Sequence, residues 1–524
     1  MRRRAFLKGL VSSILIRPNI FSTTQSPSEL SFYEPERDFG HRIRNPDWIK
    51  NGWASSKHHI VETDILIAGG GIGGLSCARV LEKHKQNFLI IEAAPFFGGT
   101  SASANFHNTP VPLGAHYIMS PPDEAEDILE FLEEAKIITG FSGHIPKYNQ
   151  NYVLENDARR DRSLYQGKWH EGIGEFLNAP SYRLRRFNQL MDFLSSFRGD
   201  DQKRWFSIPT STSSRDSRAI ELFEISFEEY LRQTDLLDEE VRYVTEYACK
   251  DDYGAPISKV SAWAGLHYFC CRPRSYKQFT LSTQSGNGHL VEHLLNSFNV
   301  QSRKSGTLLC SIQRQSDDWL CLLYSKEGFK TIRCKHLVYA GKSHALSTLF
   351  SELPEDLKKL EKPLQQAPWL TTQVVMENLP DQLLETICWD NVSKTSRSVG
   401  YIYSNYFQTT IQKPILLTHF YPLLAIPKLT IKKISSLTES ELAELVLEDL
   451  GAMNPEYLPY ISQMIFRRLF HGMGIPKPGF VLPSLRSIDW PKGLYLANSD
   501  AFGLPLFEEA FQAGVQCARE IAKG

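Results

Sequence analysis

The run Gly69-Gly70-Gly71-Ile72-Gly73-Gly74 satisfies G-x-G-x-x-G at positions 69, 71 and 74, a spacing whose backbone amides can hold a pyrophosphate. Gly69 suits a tight strand-to-helix turn, Gly71 lets the backbone approach phosphates, and Gly74 lets the helix pack close to a sheet. The amides of Ile72 and Gly73 open that helix, whose N-terminus presents about half a positive charge to an anion. Glu92, with Ala93 after it, stands about 20 residues on, where a carboxylate accepts hydrogen bonds from ribose hydroxyls and repels a 2′-phosphate. His116, Asp252 and His471 are the candidates for moving a proton. Asp251-Asp252-Tyr253-Gly254 equally suits a turn stopped by its glycine, and each histidine equally suits a packed core.

These groups need elements to position them. Asp64 to Ala68 is an apolar run of strand length, Leu75, Ala78 and Leu81 recur at helical spacing, and Phe88 to Ile91 forms a second strand that closes on Glu92. A second glycine pair follows in Phe97-Gly98-Gly99-Thr100, whose amides and hydroxyl can hold a further stretch of pyrophosphate and ribityl chain. Gly114-Ala115-His116 then offers a small-residue segment able to lie against a ring. This order implies a cofactor longer than NAD, namely FAD. Near the other end, Leu494 to Ala497 reads as a buried strand, followed by Asn498-Ser499-Asp500 and a helix with Ala510, Gly514 and Ala518 on one face. The start of that helix, Phe507 and Glu508, would face the flavin pyrimidine. Residues 307–340 alternate and turn three times, the pattern of a β-meander leading back into a parallel sheet.

Taken together, these segments resemble the superfamily of flavin-containing amine oxidases and phytoene desaturases, in which strand, G-x-G-x-x-G, helix, strand and Glu precede a Gly-Gly turn and a Leu-Gly-Ala-His-like segment. The resemblance implies that Leu309 contacts adenine through its backbone, that Ala340 ends the next strand beside the cofactor, and that Asp500 holds the ribityl-phosphate end. Three departures stand out. Thr100 occupies a place where the superfamily often has Arg, Asn498-Ser499 replace the usual Gly before Asp500, and the stretch Trp369 to Val375 lacks the flavin-facing Lys common in amine oxidases.

With 524 residues the chain exceeds what one hydrophobic core organises, so at least two domains are expected. Lys plus Arg total 58 against 59 for Asp plus Glu, which leaves no global field for nucleic acid. Nine cysteines without C-x-x-C spacing argue against a disulfide framework and a zinc ribbon, and no metal is expected. Cys270 and Cys271 fit small core residues better than a redox pair.

The N-terminal Arg3-Arg4-Ala5-Phe6-Leu7-Lys8 resembles the twin-arginine export signal, and the apolar run after it is too short to span a membrane. A periplasmic protein without a transmembrane span, exported folded by the twin-arginine machinery, is expected. FAD is made in the cytosol, so export of a folded protein would suit a flavoprotein.

The expected fold class is α/β: a discontinuous Rossmann-like FAD-binding domain (58–125, 281–345 and 486–524) with parallel sheet and β-meander, and an α+β substrate domain (126–280 and 346–485). Residues 1–30 would be the signal and 31–57 an exposed leader. Aromatic residues Tyr401, Tyr403, Tyr406 and Phe407, with the segment around His471, would line a pocket above the flavin. No second dinucleotide motif is present, so electrons would come from the organic substrate and leave to oxygen, a quinone or a carrier. The expected function is an FAD-dependent oxidoreductase that takes a hydride from a C–N or C–C bond of a small molecule, with an amine or polyamine foremost. Two alternatives stay open: a desaturase or isomerase acting on an apolar substrate, for which a pocket without acids would speak, and a non-catalytic FAD-binding assembly protein.

Overall fold

In the computed structural model, the described residues are 27–57, 60–154, 159–173, 180–272, 277–350, 357, 365–408, 410–426, 429–485 and 491–523. The twin-arginine motif lies outside them. Among them, two large sheets organise the chain.

The first sheet carries the glycine motif. Its centre is the strand Ile60–Ala68, which pairs in parallel with Phe88–Ile91 on one side and Gly328–Tyr339 on the other. Ile65, Leu66 and Ile67 are buried because helices and a second layer cover both faces, which explains an unbroken apolar run in place of alternation. Gly328–Tyr339 does two jobs along its length: its first half pairs antiparallel with Asp318–Ser325 in the meander, and its second half pairs in parallel with Leu494–Leu496. The chain's late strand thus enters the same sheet as its first Rossmann strand. Helices Ile72–Lys83 and Phe507–Lys523 pack against each other on one face. A Cβ on Gly514 would run into the backbone of Gly73 and Cys77, so the small-residue stripe serves close helix contact.

The second sheet, in the order Glu29–Phe32, Ile461–Ile475, Gln365–Met376, Ile415–Pro422, Tyr401–Tyr403, Asp390–Ser393, Asp161–Tyr165 and Lys168–Glu171, floors the other half of the molecule. Helices Tyr182–Ser196, Glu239–Tyr253 and Ala262–Cys270 stack above it around a core that includes Phe187, Phe227, Trp263 and Trp369. The helix Glu239–Tyr253 starts where Asp238 accepts from the Val241 amide at 2.9 Å and stops at Gly254, whose φ of 62° is left-handed.

Two expectations about boundaries change. Residues 31–57 are not an exposed leader. Glu29–Phe32 adds a parallel strand against Gln463–Phe466, and the helix Pro46–Ser56, capped by Asn45, lays Trp48 on Tyr324 and Phe329 at ring separations of 4.9 and 4.7 Å. The polar composition of the segment conceals a short apolar face formed by Trp48, Ile49 and Trp53. Nor does the first layer end at residue 125: the helix Glu126–Glu134 buries Ile128, Phe131 and Leu132 in the same core as the glycine motif, with Phe131 against Phe511 at 5.2 Å.

Candidate active site

A groove of about 630 Å3 runs along the carboxyl edge of the first sheet, from Glu92 and Leu309 past Gly71 and Gly99 to Ala497 and Phe507. Gly69 has a φ of 119° and lies so close to Ala340 that a Cβ would meet that residue's carbonyl carbon at 2.8 Å, as a tight turn requires. At Gly71 the opposite holds. A Cβ there would meet no atom within 4 Å and would project into the groove, so the space beside this backbone is kept open for a ligand. Ile72 and Gly73 line the same stretch, while Gly74 is packed against the backbone of Gly69. The loop holding the second glycine pair is fixed by the Gly98 amide, which donates to the Gly70 carbonyl at 2.7 Å. It brings Gly98, Gly99 and Thr100 to the wall facing the first motif.

The Glu92 carboxylate accepts from the amides of Gly70 and Ala94, each at 2.7 Å. Burial pushes its pKa up, and these two bonds pull it down. Ala93, Leu309 and Ala340 line the groove around it. The groove therefore places an acid, exposed amides at a helix N-terminus and a second glycine turn in the order that adenosine, pyrophosphate and ribityl chain of FAD would need. The residues fit the expected cofactor.

Asp500 does not lie where the family analogy puts it. It is buried, accepts from the Ser343 amide at 3.0 Å and sits 3.7 Å from the Lys342 ammonium. Asn498, which caps the short helix Ser499–Phe502 by accepting from the Ala501 amide, lines the groove with Ser499 instead. With Asn498 in the capping role, the Asp500 carboxylate is left to satisfy the turn after Gly341.

A second cavity, of about 380 Å3, adjoins the groove, and the two share Thr100, Ala115, Leu469, Gly472, Leu506 and Phe507. Gly114, Ala115 and His116 enter its wall on a segment pinned from several sides. The Ala115 amide donates to the Thr100 carbonyl at 2.8 Å, Thr371 Oγ1 to the Leu113 carbonyl at 3.1 Å, and Ser282 Oγ to the His116 carbonyl at 2.6 Å. Trp369, Phe420 and Phe269 provide apolar walls.

The polar part of this cavity is acidic. Asp251 and Asp252, in the last turn of Glu239–Tyr253, both face it, as does Glu508 at the start of the C-terminal helix. Tyr117 donates its hydroxyl to Asp251 at 2.9 Å. Among the described residues, Arg272 is the cation lining this cavity, and it is paired with Glu508 at 2.6 Å. Burial raises Asp251 to about 6 against the pull of the Tyr117 bond, and Asp252 is raised well above the carboxylate range by burial and by the Asp251 charge. The negative end of the helix acts in the same direction. Two buried acids so placed resist ionising together and favour a cation beside them.

His116 and Asp252 both line this cavity. Burial holds His116 down to about 4, so its ring is neutral near pH 7, and it stacks on Phe420 at 4.5 Å. His471 is not with them. It faces the groove, stacked on His344 at 3.7 Å, and burial with neighbouring Lys342 and Arg44 lowers it to about 4. The expected aromatic pocket around Tyr401 is core: Tyr401 is fully buried and donates to Asn454 Oδ1 at 2.6 Å. Trp263 and His267 stack on each other at 5.0 Å inside the helical layer, and His267 Nε2 lies 2.9 Å from the Ser207 carbonyl. All nine cysteines are buried and free. Among the described residues, no cluster suits a metal ion, and no helix is long and apolar enough to cross a membrane.

Tyr117, Asp251, Tyr268 and Arg272 were absent from the expected set of site residues. The density of acids and aromatics over 247–268 signals Asp251 and Tyr268 in the sequence, whereas Tyr117 and Arg272 lie outside it and converge on the site only through the fold.

Known proteins bear on this geometry. Residues 67–135 match the model of an NAD(P)-binding Rossmann-like domain. Over 56 residues the chain is 41% identical to the flavin-containing amine oxidase A of Equus caballus and, equally, to that of Bos taurus; the match spans 10% of this chain and 11% of either relative. Among solved structures, cyclohexylamine oxidase from Brevibacterium oxydans superposes with a TM-score of 0.63 at 16% identity, covering 88% of this chain and 99% of that one. Wild-type putrescine oxidase bound to putrescine superposes with a TM-score of 0.62 at 14% identity, covering 89% and 100%. The chain has the fold of these amine oxidases. The residues that match the Rossmann-like model, 67–135, belong to the first layer, which later segments of the chain complete.

Proposed function

We propose that the protein is an FAD-dependent oxidoreductase that oxidises a cationic amine at a C–N bond. What carries the proposal is the adjacency of two spaces: a groove built for a dinucleotide opens into a cavity whose polar wall holds Asp251, Asp252 and Glu508 against, among the described residues, one paired cation, Arg272. FAD bound in the groove would accept the hydride. Asp251, raised only to about 6, is ionised near neutral pH, so it attracts the substrate ammonium and takes up the proton that an amine must lose before its C–N bond can give a hydride, while burial and the Asp251 charge keep Asp252 protonated beside it. Tyr117 fixes the Asp251 carboxylate, while Trp369 and Phe420 exclude water and flank the carbon chain.

The cavity shares Tyr117, Asp251 and Tyr268 with a chamber of about 240 Å3 that holds Asp390 beside an Arg160–Asp161 pair at 2.6 Å. With Asp161 already paired, Asp390 is the acid there that favours an amine carrying a second ammonium, such as a linear polyamine. The acids disfavour a desaturase acting on an apolar substrate. Export by the twin-arginine machinery to the periplasm belongs to the same proposal, supported by Arg3-Arg4-Ala5-Phe6-Leu7-Lys8.

Anaerobic mixing of the FAD-loaded protein with monoamines, diamines and apolar alkenes tests the assignment. Bleaching of the flavin by amines, and more readily by diamines, is expected. Bleaching by alkenes alone would replace it with desaturation, and no bleaching by any of them would leave FAD in a binding role.

A further inference from the structure

We propose that residues 36–44 are part of the dinucleotide site, and that docking of the N-terminal arm 29–57 and binding of FAD are mutually reinforcing. The inference rests on the FAD assignment above.

The arm is fastened on both sides of the groove. At its start, Glu29–Phe32 pairs with Gln463–Phe466, and the Glu34 carboxylate takes three bonds from Arg468, from its amide at 3.0 Å and from Nε and Nη2 at 2.7 and 2.9 Å. At its end, Trp48 lies on Tyr324 and Phe329 of the meander, and Ser56 Oγ meets Thr331 Oγ1 at 2.8 Å. The first anchor belongs to the substrate-side sheet and the second to the cofactor-side sheet, so the arm bridges the two. Between the anchors the chain crosses the groove, and Glu36, Gly40, Ile43 and Arg44 form part of its wall.

This crossing carries charge suited to a diphosphate. Arg467, also on the groove wall, is held by Glu36. Arg44 is exposed, forms no ion pair among the described residues, and lies close enough to His471 to depress its pKa. Position 100, at the second glycine turn, is Thr and brings no charge. Arg44 therefore supplies a cation to the groove from a segment outside the Rossmann unit. A wall that is present only when the arm is docked couples the two events: whatever factor docking adds to cofactor affinity, the cofactor adds to docking.

The test uses the full chain with and without FAD. Limited proteolysis should cut within 33–57 about tenfold faster in the FAD-free protein, with the rest of the chain protected alike, a factor within the usual range of coupling. Trp48→Ala, remote from the groove, should release FAD about tenfold faster by recovery of flavin fluorescence, and Arg44→Gln should weaken FAD while leaving riboflavin, which lacks phosphate, unchanged. Equal cleavage of the arm in both states, or acceleration spread over the whole chain, would overturn the proposal, as would unchanged release from Trp48→Ala. If that variant fails to fold, the wild-type cleavage comparison decides. A protein that takes up no FAD at all would instead overturn the cofactor assignment and this inference with it.

Discussion

The Tyr117 hydroxyl donates to the Asp251 carboxylate at 2.9 Å across a separation of 134 residues, and this bond joins the segment after the second glycine turn to the last turn of the helix Glu239–Tyr253. It stabilises the charged form of a carboxyl that burial still raises to about 6 against this bond. The pH dependence of amine oxidation follows. The rate should rise with pH through about 6 as Asp251 ionises, and Tyr117→Phe, which removes a bond to the anion, should move that limb to higher pH. A kcat/KM profile of both proteins measures it; a limb that does not move would remove Asp251 from the proton path.

Asp252 faces the same cavity and, among the described residues, has no ion-pair partner as close as Arg272 is to Glu508. Asp252→Asn keeps the volume and removes the titratable proton beside Asp251. Amine kcat/KM should fall by about 100-fold, the scale of a lost acid–base group, with FAD content unchanged. Single-turnover flavin reduction separates this loss from a defect in cofactor binding.

Gly71 and Gly69 make a paired test of the groove. The Gly71 φ of -75° is open to any residue, and its Cβ would meet nothing but the space for the ligand, so Gly71→Ala should fold with unchanged stability when FAD-free and lose FAD affinity by at least about tenfold. Gly69→Ala, at a φ of 119° and against Ala340, should lower the melting temperature even without cofactor. Thermal melts of stripped proteins and FAD titration by fluorescence quenching distinguish the two.

The glycine motif, Glu92 and the βαβ unit were legible because their chemistry is local: residues within one short segment set the turn, the helix start and the acid. The same holds for the meander, whose strands alternate in order along the chain. Asp500 was misplaced because its motif fixes a backbone position but not a side-chain direction. Asn498 capped the helix, and the Ser343 amide drew the carboxylate inward. His471 turned toward His344 at a place where the register of Gln365–Met376 against Ile461–Ile475 slips between Ala367 and Trp369. Such an irregularity leaves no mark on hydrophobic periodicity. The contact between Arg272 and Glu508 spans 236 residues and depends on how two layers meet, which no spacing rule records.

That contact has an energetic consequence. Glu508 is 5% exposed at its side chain and depends on Arg272 for compensation. Arg272→Met should cost roughly 3–5 kcal/mol, the usual result of stranding one charge of a buried pair, and adding Glu508→Gln should restore much of it. Denaturant melts of the single and double variants measure the coupling.

Glu509, next along the same helix, is fully buried, and burial pushes it up to about 8 although it accepts from the Thr210 amide at 2.7 Å and the Thr210 hydroxyl at 2.6 Å. In the unfolded chain this carboxyl ionises near 4.5, so between about 4.5 and about 8 the unfolded state gives up a proton that the folded state keeps. Its contribution to stability therefore falls as pH rises through that window. Glu509→Gln, which can still pair with Thr210, should match the wild type near the lower end and melt at a higher temperature near the upper end. Melting curves at both pH values check the sign.

The visible spectrum of the purified protein, taken before and after acid precipitation, tests the dinucleotide site most directly. A yellow protein whose supernatant carries FAD is the result that the groove between Glu92 and Phe507 requires; a protein that stays colourless even when FAD is supplied would contradict it.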